Sequence, residues 1–400
     1  MNFLLVFAGA LLIAALLSEL AHRSVLSSAV LFLVVGFIAG GEITGWIRIA
    51  PQDEFLSRLA ELALFSVLFT DGMHAGLGEL RAGWRLPGRA LVAGLPLTLI
   101  FTAALAHFVA GMPWGHAFLI GAVLSPTDPV FAAALVGRAG VPRRLQHLLN
   151  VESGLNDGLA LPVVVVLLAV VGDTHSDGVE LATEVGLGIA IGVTVPLAAL
   201  RLESTRFFAA SGTYEPLLAF SIGLVVLALG LATHANLFLA AFAAGVTVTS
   251  VSPRFREAFH HFGESVTELL KLAALLAFGA LISPTFLAEI PASGYVFAVF
   301  ALFLARPAAL AVSFLGTGID RREWAAAAWF GPKGFASVVY GLLVLDARIP
   351  LADESFHLVA IVVVASILAH SSTDVLVARR FRSDAGLLLE DEIPEAPRAT

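Results

Sequence analysis

Apolar residues recur along this chain in runs of roughly 17 to 25, the length a helix needs to cross a bilayer. Thirteen such runs can be read, at about 3–20, 25–40, 55–70, 90–110, 114–136, 145–171, 181–200, 214–232, 235–251, 265–283, 293–315, 323–345 and 356–378. Only 14% of residues are charged, against about 25% in a soluble domain, and mean hydropathy is +0.91. Hydrocarbon offers no water to an exposed backbone, so each run must close its own hydrogen bonds as a helix. The expectation is an all-α polytopic membrane protein. The first run has no basic leader and no convincing cleavage site, and reads as a helix rather than a signal peptide.

Loop charges test the count, because cytoplasmic loops collect Lys and Arg. One alternating set of loops holds Arg23, Arg81, Arg85, Arg89, Arg138, Arg143, Arg144, Arg201, Arg206, Arg254, Arg256, Arg321 and Arg322, with Arg379, Arg380 and Arg382 after the last span. The opposite set holds Arg48 and Arg348, together with the acidic stretch from Asp173 through Asp177 and Glu180 to Glu184. An odd number of spans follows, with the N-terminus outside, the C-terminus cytoplasmic and the protein in the cell's inner (plasma) membrane. The loops have no room for a soluble domain. Residues 1–380 are expected to form one transmembrane domain, and 381–400 a short, disordered cytoplasmic tail. The net charge is −8 and there is no cysteine. Nucleic-acid binding, disulfides and thiolate chemistry therefore have no basis in this sequence.

Function must then lie inside the bundle, where charge is expensive. Span five contains Ser125-Pro126-Thr127-Asp128-Pro129, and span six contains Glu152-Ser153-Gly154-Leu155-Asn156-Asp157. A charge near the bilayer centre costs ~3 kcal/mol or more, so carboxylates there mark an ion or proton pathway. Two prolines around Asp128 break the helix, and broken backbone at that depth must be buried in protein or line a wet cavity. Its freed carbonyls, that of Thr127 included, become candidate cation ligands. Glu152 with Asn156, and Ser153 with Asp157, lie at i,i+4 on adjoining helix faces. A set made of carboxylate, amide, hydroxyl and carbonyl oxygens suits a hard cation, and lacks the imidazole and thiolate that select zinc or copper.

Span twelve carries Gly331-Pro332-Lys333-Gly334, a second helix breaker with a buried charge. Lys333 is expected to pair with a carboxylate, Glu152 or Asp128. Spans four to six and eleven to thirteen form two triplets, each broken in its middle member and starting seven spans apart. They therefore enter the membrane in opposite orientations, as inverted repeats do. Glu268 and Lys271 are expected to pair with each other at i,i+3. Arg306, beside Pro307, has either a carboxylate partner or an interfacial position. His370 and Asp374 lie near the end of span thirteen. His22, His74, His147, His260 and His261 fall in cytoplasmic loops or at their edges.

These motifs, in this order and spacing, resemble the monovalent cation:proton antiporter family, and most of all its NhaP type. Thr127-Asp128-Pro129 resembles the family's crossing-helix motif, Glu152-Ser153 with Asn156-Asp157 its ion-site helix, and Gly331-Pro332-Lys333-Gly334 its Gly-Pro-Arg-Gly segment. The resemblance implies an antiporter fold with two discontinuous crossing helices. It also implies a homodimer and elevator-like movement of a core made from about 90–171 and 293–378, the other spans serving as scaffold and dimer contact. Asp157, Glu152, Ser153, Asp128 and the Thr127 backbone would surround a bound Na⁺, with Asn156 beside them. The Asn156-Asp157 pair is similar to that of electroneutral members. Lys333 stands where Arg is usual, and Lys, unlike Arg, can release its proton.

The expected function is exchange of Na⁺ (or Li⁺) for H⁺ by competition at Asp157, with K⁺/H⁺ exchange as the alternative. The chain offers no filter repeat or charge ring for a channel. It also lacks a metal motif, nucleophile elbow or phosphate loop for an enzyme. No cofactor is called for.

Overall fold

The computed structural model describes residues 2–17, 27–74, 84–128, 142–172, 178–205, 207–208, 210–347 and 349–391. They form helices and connecting segments, with no strand among the described residues. Every predicted run overlaps a helix among the described residues, run 114–136 only over Trp114–Val123 and run 323–345 as two helices, Arg321–Trp329 and Phe335–Asp346. Among the described residues, six helices, including Arg143–Val171 and Ala292–Ser313, are long and apolar enough to span a membrane by length and composition. Large apolar side chains such as Leu5, Val92, Phe108 and Val170 stand exposed on the outer faces, as a lipid-facing surface requires.

Boundaries move where a polar stretch extends a helix beyond its apolar run. The tenth helix begins at Pro253, a residue suited to the first helical turn, and runs to Leu281. The last helix continues from Ala352 to Asp391, past residue 381, where a disordered tail is expected to begin. Arg23, Arg81, Arg138, Asp173, Asp177, Arg206, Arg348, Pro129 and the rest of span five to 136 lie outside the described residues, as do 392–400.

Both prolonged breaks are present in the backbone. Helix Trp114–Val123 gives way to non-helical backbone through Asp128. Helix Arg321–Trp329 gives way at Phe330–Gly334 before helix Phe335–Asp346 begins. The helices that precede the two breaks share another irregularity, a π-helical turn at Ala90–Gly94 in one and at Ala301–Ala305 in the other. Each turn lies just before a proline, Pro96 or Pro307. A widened turn relieves the clash of a proline ring with the carbonyl four residues back.

Away from the breaks, backbones approach through glycine. Helix Glu54–His74 packs on helix Leu237–Val251, and helix Pro253–Leu281 on both Glu54–His74 and Ser28–Ala39. A Cβ on Gly245 would run into the backbone of Phe69 and Met73, and one on Gly72 into that of Phe242. Small residues permit this close contact, which in a membrane substitutes for hydrophobic drive. Gly245→Ala is expected to cost about 1–3 kcal/mol by overpacking, measured as a lower melting temperature in detergent. Gly9→Ala, with no atom within 4 Å of the new Cβ, should leave it unchanged.

Candidate ion site

The two breaks meet. The backbone N–H of Asp128 donates to Pro332 O at 3.0 Å, so the interrupted segments cross one another. Each then supplies a charge to the other's half-helix. Asp128 Oδ2 accepts the N–H of Phe335 at 2.9 Å, capping the positive end of helix Phe335–Asp346. Lys333 Nζ donates to Ser125 O and Pro126 O, both at 3.3 Å, just beyond the negative end of helix Trp114–Val123. Carboxylate at a helix N-terminus and ammonium at a C-terminus are the favourable pairings with the helix dipole. Ser337 Oγ donates to Val123 O at 2.7 Å, and the Lys333 N–H to Ser366 Oγ at 2.7 Å, closing further broken-backbone ends.

Gly331 and Gly334 make room for these charges. A Cβ on Gly334 would overlap the Asp128 carboxylate, and one on Gly331 the Arg306 side chain.

The helix Arg143–Val171 brings Glu152, Ser153, Asn156 and Asp157 to the crossing, all buried. Asn156 Nδ2 donates to Thr127 O at 3.1 Å and to Thr127 Oγ1 at 2.7 Å, tying this helix to the first break. Tyr340 Oη donates to Asp157 O at 2.8 Å, tying it to the second. Ser153 lies one turn before Asp157. Among the described residues, Asp157 Oδ1 and Asn156 Oδ1 are buried with no hydrogen-bond partner.

Glu152 differs from expectation. It pairs with Arg306, not with Lys333, through Nη1 to Oε1 at 2.6 Å and Nη2 to Oε2 at 3.0 Å. The guanidinium also donates to Ala327 O from Nε at 3.3 Å and Nη2 at 3.1 Å. A planar fork satisfies both carboxylate oxygens at once, which a single ammonium cannot. Both Glu152 carboxylate oxygens are thus held by the Arg306 guanidinium. Lys333 meets carbonyl oxygens and has no carboxylate within ion-pair distance among the described residues.

A cavity of about 730 Å³ reaches this cluster and touches Asp128 and Asp157. Thr127, Glu152, Ser153, Asn156 and Lys333 are buried and are not among its lining residues. Asp71, Lys271, His74 and Glu264 line the same cavity.

Comparison with known proteins agrees with this geometry. The sequence matches the family described as "Sodium/hydrogen exchanger, transmembrane" over residues 8–379. The chain belongs to the sodium/hydrogen exchanger family. Among curated relatives, the K(+)/H(+) antiporter NhaP2 of Shewanella baltica is 25% identical over 402 residues, covering 97% of this chain and 67% of that protein. The uncharacterized Na(+)/H(+) exchanger YjcE of Escherichia coli is 32% identical over 227 residues, 53% of this chain and 40% of that protein. Among solved structures, the sodium proton antiporter MjNhaP1 from Methanocaldococcus jannaschii at pH 8 superposes with a TM-score of 0.78 at 18% identity, covering 95% of this chain and 99% of that one. The chain is a cation:proton antiporter of the NhaP type, with the fold of a secondary transporter rather than an enzyme.

Three charged residues that the sequence does not assign to the candidate site lie at the cavity or the crossing. Asp71 closes span three at the edge of its apolar run and reads as a helix-end residue, yet its Oδ2 is buried without a partner among the described residues. Lys271 forms the expected pair with Glu268, at 3.5 Å, and also faces the cavity. Arg306 had a visible signal, a guanidinium in mid-span, but its partner was not legible. Breaking a buried pair leaves an uncompensated charge, so Arg306→Met is expected to lower stability by about 3–5 kcal/mol. Unfolding in detergent measures this, and the double variant Glu152→Gln/Arg306→Met should recover part of the loss. A single variant as stable as the parent would contradict the pair's structural role.

Proposed function

We propose that the chain exchanges one Na⁺ (or Li⁺) for one H⁺ across the cell membrane, the two competing for Asp157. The observation that carries this reading is Asp157 Oδ1, buried and unpartnered beside an open cavity in an exchanger fold. The carboxylate holds a proton or a cation but not both, because either one satisfies the same lone pairs. Crossing with an empty, charged Asp157 would carry a penalty of ~3 kcal/mol or more, and that penalty enforces exchange. Glu152 and Arg306 cancel, Asp128 is engaged with a helix end, and Asp71 stays with the wall that does not move, so in this reading Asp157 alone carries one ion each way and the cycle is electroneutral. The oxygen donors around Asp157 suit a hard monovalent ion. The breaks and their flanking helices move as a unit against helices Glu54–His74 and Pro253–Leu281, which carry Asp71 and Lys271. By the positive-inside loops, the His74 end of the cavity faces the cytoplasm. K⁺/H⁺ exchange is the second reading, favoured by the K(+)/H(+) names of relatives such as NhaP2 and the NhaP of Alkalimonas amylolytica, each 25% identical.

Proteoliposomes enclosing a pH dye decide between the two readings. Na⁺ and Li⁺ should dissipate an imposed pH gradient and K⁺ should not, with rates unchanged by an imposed voltage. A full response to K⁺ alone selects the second reading, and voltage-dependent rates exclude electroneutrality. Asp157→Asn should abolish exchange, and exchange that survives it would sink the mechanism.

Asp71 supplies a further carboxylate on the wall that stays behind. Asp71→Asn is expected to raise the apparent KM for the cation about tenfold, equivalent to ~1.4 kcal/mol, while leaving kcat within about twofold. A fall in kcat with unchanged KM would place Asp71 outside the cation's path.

A further inference from the structure

We propose that His74, His260 and Glu264 form a binding site for a divalent transition-metal ion of the zinc class at the mouth of the cavity, and that a metal held there blocks exchange. The binding half stands on geometry alone, and the blocking half rests on the antiport reading above.

Two helices supply the ligands. His260 and Glu264 lie four residues apart on one face of helix Pro253–Leu281, and His74 is the last residue of helix Glu54–His74. His74 Nε2 stands 3.4 Å from Glu264 Oε1, and His260 Nδ1 3.2 Å from Glu264 Oε2. One ligand atom from each of the three residues lies within 4.8 Å of the others. Tetrahedral zinc, with bonds of about 2.0–2.1 Å, spaces its ligands by about 3.3 Å. The observed separations therefore need only small side-chain shifts to converge on one ion. Two imidazoles and a carboxylate make a familiar three-ligand zinc set, leaving the fourth position to water.

Access is direct. The side chains of His74, His260 and Glu264 retain 35%, 48% and 43% exposure, so an ion can enter from solution without opening the bundle. His261 stacks edge-on against the His260 ring at 5.3 Å and is a neighbouring imidazole available after a rotamer change. The same geometry also describes Glu264 accepting hydrogen bonds from both rings, with no affinity for metal. The experiment separates these two cases.

The position gives the site its consequence. Helices Glu54–His74 and Pro253–Leu281 also carry Asp71 and Lys271, and His74 and Glu264 line the same cavity as those two residues. A metal bridging them would set a divalent charge in the path of a monovalent cation.

Calorimetric titration of the purified full-length chain with zinc chloride is expected to show one saturable site per chain. That site should weaken more than about tenfold in His260→Ala and in Glu264→Gln, since either change removes a ligand. In proteoliposomes, micromolar zinc should inhibit wild-type exchange and leave His260→Ala unaffected, and His260→Ala should exchange normally without zinc. Absence of saturable binding, or binding unchanged in both variants, would overturn the site. Saturable binding without inhibition would overturn the block. Calorimetry reads the site even if no Na⁺ or K⁺ exchange is found, so failure of the metal site and failure of the antiport reading are distinguishable.

Discussion

Breaking a helix in hydrocarbon leaves carbonyls and amides without partners, and the rest of this protein is arranged around satisfying them. The solution is reciprocal. Asp128, from one break, accepts the first N–H of helix Phe335–Asp346, and Lys333, from the other, donates to the Ser125 and Pro126 carbonyls. Each charge is stabilised by the opposite end of a helix dipole, and the backbone bond from Asp128 to Pro332 locks the crossing. Gly331 and Gly334 follow from the same requirement, because side chains there would displace Arg306 and Asp128. With the crossing fixed, Asn156 can reach Thr127 and Tyr340 can reach Asp157.

The remaining buried charges are sorted by that framework. Arg306 holds Glu152 from a position directly after a π-helical turn, with four guanidinium hydrogen bonds to Glu152 and Ala327. Asp128 is engaged at a helix end. Asp157 keeps one buried oxygen unpartnered among the described residues, at the edge of a cavity deep enough to bring a cation to it. A transporter needs one group of this kind: a carboxylate costly to leave bare, and satisfied equally by proton or metal ion. Asp71, lining the same cavity, likewise keeps a buried carboxylate oxygen unpartnered among the described residues.

Much of this was legible beforehand, for reasons that are local. Apolar run length reports helices because the bilayer has a fixed thickness. The prolines flanking Asp128 and the Gly-Pro-Lys-Gly segment report breaks because a proline ring cannot continue the hydrogen-bond ladder. Glu152, Asn156 and Asp157 stand out because polar groups in apolar sequence are expensive. Asp71 did not stand out, since it sits where an apolar run ends and a polar residue is ordinary. Lys271 had a sufficient local explanation in Glu268, which concealed its second exposure to the cavity.

The sequence by itself determined a polytopic helical membrane protein, the location of its two interruptions and the carboxylates around which an ion pathway had to be built. Those properties depend on residue type and spacing along one strand of chain. Tertiary structure decided which charges meet. Glu152 finds Arg306 across 154 positions and Asp128 caps Phe335 across 207, distances over which composition says nothing about the rotation or approach of two helices. Arg306 won the pairing with Glu152 because a fork can saturate a carboxylate while still reaching a carbonyl, and because Lys333 was required at a helix end.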